Sequence, residues 1–288
     1  MISLYKIKNI KHKRVLIFGF VCVCFVLFFL YQNKHLVVDN FIVQSEKISG
    51  DLDGFKIVQI SDFHNAYFGR DNDKLLAIIK NQNPDIVVIT GDLVDSNHTN
   101  INRALEFAQT VQEICPTYYV TGNHEYWLDE KDLDILLSGL RDSGITILEN
   151  ECVNIYKGDS SFTLVGLDDR NLSDNTLTNI LQDYKSEFTV VLAHEPQYIT
   201  NYSGEKVDLV LSGHAHGGQF RLPFIGGVVA PDQGFNPQYT EGEYKMKDTT
   251  MIVSRGLGNS IIPVRLFNYP EIVCVELKQG KLQVNNTC

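Results

Sequence analysis

Apolar runs of strand length alternate with amphipathic stretches along most of the chain. Eight runs rich in β-branched residues are predicted strands: Phe55–Ile60, Asp85–Thr90, Thr117–Thr121, Phe162–Val165, Phe188–Ala193, Val207–Ser212, Thr249–Ser254 and Glu271–Leu277. Helical spacing of apolar residues predicts four helices: Asp73–Asn81, Asn102–Ile114, Lys131–Asp142 and Asn175–Tyr184. The strand, helix, strand order of the first half implies parallel pairing, and the closely spaced later strands indicate antiparallel additions. We therefore expect residues 51–288 to form one layered α/β domain, with residues 32–50 as a linker and its start.

The first 31 residues have a different pattern. Residues 15–31 carry no charge, and five Lys or Arg residues precede them within nine positions. A helix over this run is roughly 26 Å long, just enough to span a hydrocarbon core. The excess of cations before the run predicts that residues 1–14 are cytoplasmic and that the body lies outside the cell.

The residues at the end of the apolar run indicate whether the run is cleaved off or stays in the mature protein. It closes as FLYQNKH, without the small residues of a signal-peptide cleavage site, which favours an uncleaved membrane anchor. A cleaved signal peptide remains open. A third alternative is a buried helix of a soluble protein, but it leaves the basic segment before the run unexplained.

Polar motifs directly follow five of the predicted strands. They are Ser61-Asp62-Phe63-His64, Gly91-Asp92, Gly122-Asn123-His124-Glu125, His194-Glu195 and Gly213-His214-Ala215-His216. In open α/β sheets ligands bind beyond the carboxyl ends of the strands, so these motifs are expected to converge. Gly, Asn and Asp are common in turns, but turn geometry gives no reason for histidine.

The donor types in these motifs predict a metal site. Carboxylate, amide oxygen and neutral imidazole are ligands for zinc, manganese and iron. Seven such ligands are too many for one tetrahedral ion, but they suit two ions that share a carboxylate. Paired metals are a recurring device for phosphoester hydrolysis, in which they lower the pKa of a bridging water and hold the attacked phosphoryl group.

The motifs, taken together in this order and at these separations, resemble the signature of the calcineurin-like metallophosphoesterases. Three stretches are similar to those of the family's bacterial membrane-bound or exported phosphodiesterases: GHAHGGQ, SRGLGNS and, after it, PVRLFNYPEIVCVEL. The resemblance covers residues 38–277. It implies an α-β-β-α sandwich of two mixed β-sheets flanked by helices, with residues 51–288 as the catalytic domain.

The resemblance also implies a role for each motif residue. Asp62, His64 and His216 would hold one metal, and a second group would hold the other: Asn123, His194 and His214. Asp92 would bridge the two ions. His124, which is not a ligand in the family, would stabilise or protonate the leaving group, a role that suits histidine near neutral pH.

Four further charged residues have two interpretations each. Asp95 and Glu125 either orient ligand side chains and backbone or are plain solvated acids. Arg255 and Arg265 are candidate phosphate contacts by charge alone, or they form surface salt bridges.

Charge and cysteine content exclude some classes of function. The net charge is −10; residues 1–38 carry six cations and no acid, so the remainder carries 19 − 35 = −16. An acidic body argues against a nuclease, because nucleic-acid affinity depends on Lys and Arg that neutralise phosphates. The six cysteines include no CxxC pair, so no zinc knuckle is predicted.

The expected activity is that of a dinuclear metal-dependent phosphodiesterase. A membrane tether makes envelope or lipid-linked phosphoesters plausible substrates, and the apolar segment GGQFRLPFIGGVVAP after His216 is either a hairpin that completes the second sheet or a wall for an acyl chain. A phosphomonoesterase, a nucleotide-sugar pyrophosphatase and a non-catalytic binding module are the alternatives.

Overall fold

The computed structural model describes residues 2–168, 170, 176–182, 187–203, 206–260 and 262–280, with side chains from Lys13 onward. Seven α-helices lie in these ranges: α1 Ile2–Lys34, α2 Asp73–Asn81, α3 Ile101–Gln112, α4 Asn123–Tyr126, α5 Glu130–Asp142, α6 Thr176–Ile180 and α7 Ile199–Tyr202. Local capping fixes two of the helix starts. The Asn100 side chain accepts the Arg103 N–H ahead of α3, and the Asp129 side chain accepts the Asp132 N–H ahead of α5.

The strands of the described residues form two mixed six-stranded sheets and two small hairpins. They are β1 Val37–Ser45, β2 Lys56–Ile60, β3 Ile86–Thr90, β4 Thr117–Val120, β5 Thr146–Ile147, β6 Glu151–Lys157, β7 Ser160–Gly166, β8 Thr189–Leu192, β9 Leu209–Ser212, β10 Arg221–Leu222, β11 Gly226–Gly227, β12 Val229–Ala230, β13 Gly234–Phe235, β14 Gly242–Met246, β15 Thr249–Val253 and β16 Glu271–Gln279. The first sheet has the order β1-β16-β2-β3-β4-β5, and the second has the order β14-β15-β9-β8-β7-β6. In the first sheet, only β16 and β2 pair antiparallel. In the second sheet, the antiparallel pairs are β14–β15 and β6–β7 at its two edges, and the other pairs are parallel.

Side-chain alternation explains how the sheets stack. In β3, Ile86 and Val88 enter a core between the two sheets, whereas Val87 and Ile89 face a core beneath α2, α3 and α5. A third core packs the outer face of the second sheet against α7. Both faces of each central strand are therefore buried, as expected for parallel strands covered by helices. The predicted α-β-β-α sandwich is confirmed.

The predicted elements match those observed to within two residues at most ends. All eight predicted strands are present, and the helix predicted over Asp73–Asn81 has those bounds. The helix predicted over Asn175–Tyr184 is observed as α6, with Asn175 and Tyr184 outside the described residues. The prediction did not include β1, β5, β6 or the strands from β10 to β14.

The strand β1 lies in the segment predicted to contain the linker. It pairs in parallel with β16 over its whole length, from Val37 opposite Glu271 to Ser45 opposite Gln279. Only His35 and Leu36 separate β1 from the end of α1 at Lys34. The apolar helix is therefore joined almost directly to the first sheet.

The helix α1 contains a segment, Lys13–Lys34, that is long and apolar enough to cross a membrane. Its side chains from Val15 to Leu27 are mostly exposed, which suits contact with lipid rather than with a protein core. Its last turns contact the body, where Phe28 meets Phe267 and Tyr31 meets Tyr269.

Candidate metal centre

Three of the predicted ligands form a first cluster beside the end of β2. We use this name for Asp62, His64 and His216. The Nε2 atoms of His64 and His216 lie 3.3 Å apart, and Asp62 Oδ1 lies 3.5 Å from His216 Nε2 and 4.0 Å from His64 Nε2. All three residues are buried.

Three others form a second cluster, which consists of Asn123, His194 and His214. Asn123 Oδ1 lies 3.1 Å from His194 Nε2 and 2.8 Å from His214 Nδ1. The two imidazole nitrogens are themselves 3.2 Å apart. The cluster joins the ends of β4, β8 and β9, which are distant in the sequence.

Asp92 lies between the two clusters. Its Oδ2 atom is 3.5 Å from His64 Nε2 in the first cluster and 3.3 Å from His194 Nε2 in the second. The structure therefore brings the seven side chains together, with Asp92 between the two clusters.

The backbone at these positions is unusual. Five of the seven residues have a positive φ, the left-handed conformation that side chains other than glycine seldom adopt: Asp62, His64, Asp92, His214 and His216. Such conformations cost on the order of 1–3 kcal/mol each and concentrate at functional sites. The loops that follow the strands turn sharply so that their side chains point into one site.

Hydrogen bonds outside the clusters fix which ring nitrogen of two histidines faces inward. His194 Nδ1 lies 2.7 Å from the carbonyl oxygen of Thr90, which can only accept, so this nitrogen carries the proton. His214 Nε2 lies 2.9 Å from a carboxylate oxygen of Asp232. In the neutral form of both rings the inward nitrogen has a lone pair, as a metal ligand requires.

The electrostatics of the clusters favour cations. Burial lowers the pKa of His64 to about 3 and that of His216 well below its ordinary value, so both rings are neutral donors. Burial opposes a charge on His194, but the Asp92 carboxylate outweighs it and raises the pKa of His194 well above its ordinary value. In the absence of a cation, Asp92 is therefore compensated by a proton on His194.

The spacing of the donors fits metal ions. Ligand atoms about 2.0–2.2 Å from a common ion lie roughly 3.0–3.5 Å from one another. Most of the distances given above fall in this range, among them those between His64 and His216, Asn123 and His194, and His194 and His214. The atoms belong to buried side chains that offer lone pairs to a cation. The donor set therefore suits two divalent cations of the zinc, manganese and iron type.

His124 lies beside the first cluster, with its ring 4.5 Å from that of His64. The backbone N–H of Ser96 donates to His124 Nδ1 at 3.1 Å, so in the neutral ring the proton is on Nε2. This Nε2 atom lies 2.9 Å from the Ser260 hydroxyl oxygen. The ring thus presents an N–H on the side opposite Ser96.

Asp95 and Glu125 are not solvated acids, because both are buried. Asp95 Oδ1 lies 3.6 Å from His124 Nδ1 and accepts the backbone N–H of Asn97. Glu125 accepts four backbone N–H groups, those of Asp92, Leu93, Val94 and Gly122. Glu125 therefore holds the loop that carries the bridging carboxylate.

The two candidate arginines do not face the clusters as phosphate contacts. Arg255 is ion-paired with Asp39 and Glu241, which agrees with the salt-bridge interpretation, although its side chain is largely buried. It also lies 3.4 Å from a carboxyl oxygen of Glu271. Both interpretations were wrong for Arg265. It is fully buried and donates to the carbonyl oxygens of Arg255 and Gly258, so it supports the backbone beside Asp62.

The apolar segment after His216 does not complete the second sheet. It forms the separate hairpins β10–β11 and β12–β13, and β14 occupies the sheet edge instead. A hydrogen-bonded bridge between Phe220 and Leu266 attaches the first hairpin to the body. Its turn leaves Phe224 and Ile225 exposed.

A cavity of about 310 Å³ opens beside the second cluster. Asn123 and His194 line its inner side, and Trp127, Arg170 and Asp232 line its outer side. The sequence analysis identified neither Arg170 nor Asp232 as a site residue. Asp232 lies in a turn that already accounts for an aspartate, and Arg170 belongs to none of the strand-end motifs, so no local signal distinguished them.

Comparisons with known proteins agree with this geometry. The family model of the calcineurin-like phosphoesterases matches residues 55–218. The chain is 31% identical over 255 residues to the uncharacterized metallophosphoesterase YkuE of Bacillus subtilis, covering 86% of this chain and 88% of that protein. It is 29% identical over 226 residues to the phosphodiesterase YaeI of Escherichia coli, covering 77% and 82%. A zebrafish transmembrane protein with a metallophosphoesterase domain is 29% identical over 252 residues, covering 82% of this chain and 56% of that protein.

Proposed function

Because the chain belongs to the calcineurin-like phosphoesterase family, we propose that it is a membrane-anchored, two-metal phosphodiesterase that acts on envelope or lipid-linked phosphoesters. That it is a metal-dependent phosphoester hydrolase follows from the family and the clustered ligands. Its preference for diesters, its substrates and its orientation in the membrane are the proposed parts.

The observation that carries the proposal is the position of Asp92 between two clusters of buried lone-pair donors. Two divalent cations, when bound, activate water and stabilise negative charge on phosphoryl oxygens. In the first cluster, Asp62, His64 and His216 would hold one cation. The second cation would be held by Asn123, His194 and His214, and Asp92 would contact both.

The residues of the chain itself supply orientation and a proton. The Ser96 N–H keeps the His124 proton on Nε2, where it is available to a departing oxygen. Asp95 lies 3.6 Å from the other ring nitrogen. Asp232 and the Thr90 carbonyl hold the rings of the second cluster in place.

Space on both sides of the centre favours a diester. One cavity adjoins His194 and Asn123, and a second adjoins His64 on the other side. A phosphodiester has two carbon substituents on phosphorus, so it can occupy both spaces, whereas a monoester needs only one. The phosphodiesterase name of the relative YaeI agrees with this preference.

The apolar helix supports a location at the cell membrane, with a single span. The basic residues before the span favour a cytoplasmic N-terminus and a catalytic domain on the outer side. An extracellular domain has direct access to envelope phosphoesters. The zebrafish relative, a transmembrane protein, is a further reason to propose anchoring.

The test compares bis(p-nitrophenyl) phosphate with p-nitrophenyl phosphate as substrates of the full chain in detergent with manganese. We expect the diester to be hydrolysed faster, chelation to abolish turnover, and Asp92→Asn to remove turnover and lower the metal content. Asp129→Asn, at an exposed helix cap, is the matched control and should retain both. Turnover that survives both chelation and Asp92→Asn would overturn the proposed mechanism.

The other outcomes identify the alternatives. Faster hydrolysis of the monoester would indicate a phosphomonoesterase, and turnover of a nucleotide sugar alone would indicate a pyrophosphatase. Absence of bound metal and of turnover would indicate a binding module. The retention of a ligand-type side chain at all seven positions argues against that last alternative.

A further inference from the structure

A cavity of about 600 Å³ separates the end of α1 from the catalytic body, and we call it the helix–body cavity. Phe25, Phe29 and Leu30 of α1 form one wall. Phe68, Leu257 and Val264 of the body belong to the opposite wall. Most of the lining residues are apolar, with Asn33, Lys34 and Asn259 as polar exceptions. The volume falls in the range of about 300–1,000 Å³ that is typical of ligand sites.

The inner end of the helix–body cavity lies against the loop that carries one ligand of the metal centre. His64, whose Nε2 atom belongs to the first cluster, is one of its lining residues. The imidazole of His64 is itself fully buried, so the cavity meets the outer side of the metal site at this loop.

Polar contacts hold α1 at this position. The Asn33 side-chain oxygen accepts the Asn259 Nδ2–H at 2.8 Å and the backbone N–H of Arg265 at 3.2 Å. Lys34 Nζ donates to the Tyr67 carbonyl oxygen at 2.7 Å. These bonds join one side of the cavity to the other, so its width is set by the fold.

The cavity lies at the level of the membrane boundary. Phe25 is eight residues before Asn33, which places it about 12 Å deeper along the helix. The body wall at that depth continues into exposed apolar side chains, Ile262 and Phe267, and the latter contacts Phe28 of α1. Exposed apolar groups beside a spanning helix are typical of surfaces that enter the interfacial region of a bilayer.

We propose that the helix–body cavity binds an acyl chain of a phospholipid from the membrane that α1 spans, with the phosphoester group of that lipid at the His64 end. The occupant follows from the surroundings: hydrocarbon chains are the only abundant apolar molecules at this depth, and Val26 and Leu30 are open to them. This inference rests on the proposed function. It assigns α1 a second role, as one wall of the substrate site.

The test uses the full chain in vesicles of phosphatidylethanolamine and phosphatidylglycerol that contain a trace of phosphatidylglycerol with a diazirine on one acyl chain. After illumination, we expect lipid adducts on the body segment that carries Leu257 and Val264, as well as on α1. Leu30→Trp fills the cavity and should reduce the body adducts and the hydrolysis of the lipid about tenfold, since excluding two methylene groups already costs that much affinity.

Leu27→Trp is the matched control, because Leu27 is as exposed on the same helix but does not line the cavity. It should leave the body adducts and lipid hydrolysis unchanged, and both variants should keep the wild-type metal content. Absence of adducts on the body, or equal effects of the two variants, would overturn the acyl-chain site while the soluble diester is still cleaved. Failure to cleave the soluble diester would instead count against the proposed function.

Discussion

The carboxylate of Glu125 accepts the backbone N–H of Asp92 at 2.9 Å. The same oxygen accepts the Gly122 N–H at 2.7 Å, and the other oxygen accepts the N–H of Leu93 at 2.8 Å. One buried side chain thus fixes the loop of the bridging carboxylate and the loop that leads into Asn123. The site depends on this group even though it contributes no metal ligand.

Glu125→Gln is therefore expected to disturb the metal centre. Glutamine has the size of glutamate, but its amide nitrogen cannot accept, so two buried N–H groups lose their partner at a cost of roughly 1–3 kcal/mol each. We expect a lower melting temperature and less than full metal content, measured by calorimetry and elemental analysis. Glu130→Gln, on the exposed face of α5, should change neither. Full metal content in Glu125→Gln would show that the loop holds its shape without these bonds.

Gly122→Ala is expected to exclude the ligands from their positions. The φ of Gly122 is −113°, which alanine tolerates, so the conformation of residue 122 itself is not the obstacle. A Cβ atom there would overlap Asp92 Oδ1 and would lie 2.7 Å from the Asp92 backbone nitrogen and 2.9 Å from His194 Nε2, well inside contact distance. The variant should fold, bind metal weakly and lose most of its activity, as measured by metal titration and diester hydrolysis. Wild-type metal affinity would mean that both ligands can move aside.

His124→Ala should separate proton donation from metal binding. General acids contribute about 10²–10⁴-fold to rate, and their loss matters most when the leaving group is a poor one. We expect kcat to fall by that factor for an alkyl leaving group but much less for p-nitrophenolate, with unchanged metal content. An equal loss for both leaving groups would assign His124 to substrate binding rather than to proton transfer.

The strand-end motifs were predictable because two independent signals coincide there. A buried strand such as β3 has an unmistakable apolar run, and the Asp92 that follows it has a residue type suited to ligation. The strand β1 was missed because polar residues interrupt its apolar pattern, and its partner β16 lies more than 200 residues away. Pairings of this kind are decided by tertiary structure, not by local sequence.

The same reasoning explains which contacts of the site were missed. Asp232 lies in a Pro-Asp-Gln-Gly turn, where turn chemistry already accounts for an aspartate, and only the fold brings it to His214. The helix–body cavity arises from contacts between residues such as Asn33 and Asn259, separated by 226 positions. Apolar periodicity predicted the helix and its span but carried no information about the body surface that it meets.

The stability of the protein should depend on pH through Glu271. Burial, together with a hydrogen bond to Asp39, raises the pKa of Glu271 from its ordinary value of 4.5 to about 8, although Arg255 opposes this shift. The folded state then keeps a proton that the unfolded chain has already released. Stability from this group is present below pH 4.5 and is lost as the pH rises toward 8.

Glu271→Gln should remove that dependence, because glutamine stays neutral at every pH. The melting temperature of the variant, relative to that of the wild type, should increase steadily between pH 4.5 and 8 and then level off. Thermal unfolding of the full chain in detergent at a series of pH values measures this difference. A difference that is constant across the interval would mean that Arg255 keeps Glu271 ionised throughout.

Asn33 should be required for stability because it connects the membrane helix to the catalytic body. Asn33→Ala leaves the Asn259 amide and the Arg265 N–H without their acceptor, at a cost of about 1–3 kcal/mol for each buried donor. Asn33→Asp keeps an acceptor oxygen, so its melting temperature in detergent should stay close to that of the wild type. Because a chain cleaved after the apolar run would lose much of the helix packed here, the N-terminal sequence of the protein isolated from membranes is a second measurement. A protein that begins after residue 31, or an Asn33→Ala variant as stable as the wild type, would contradict the view that α1 is a permanent part of the folded body.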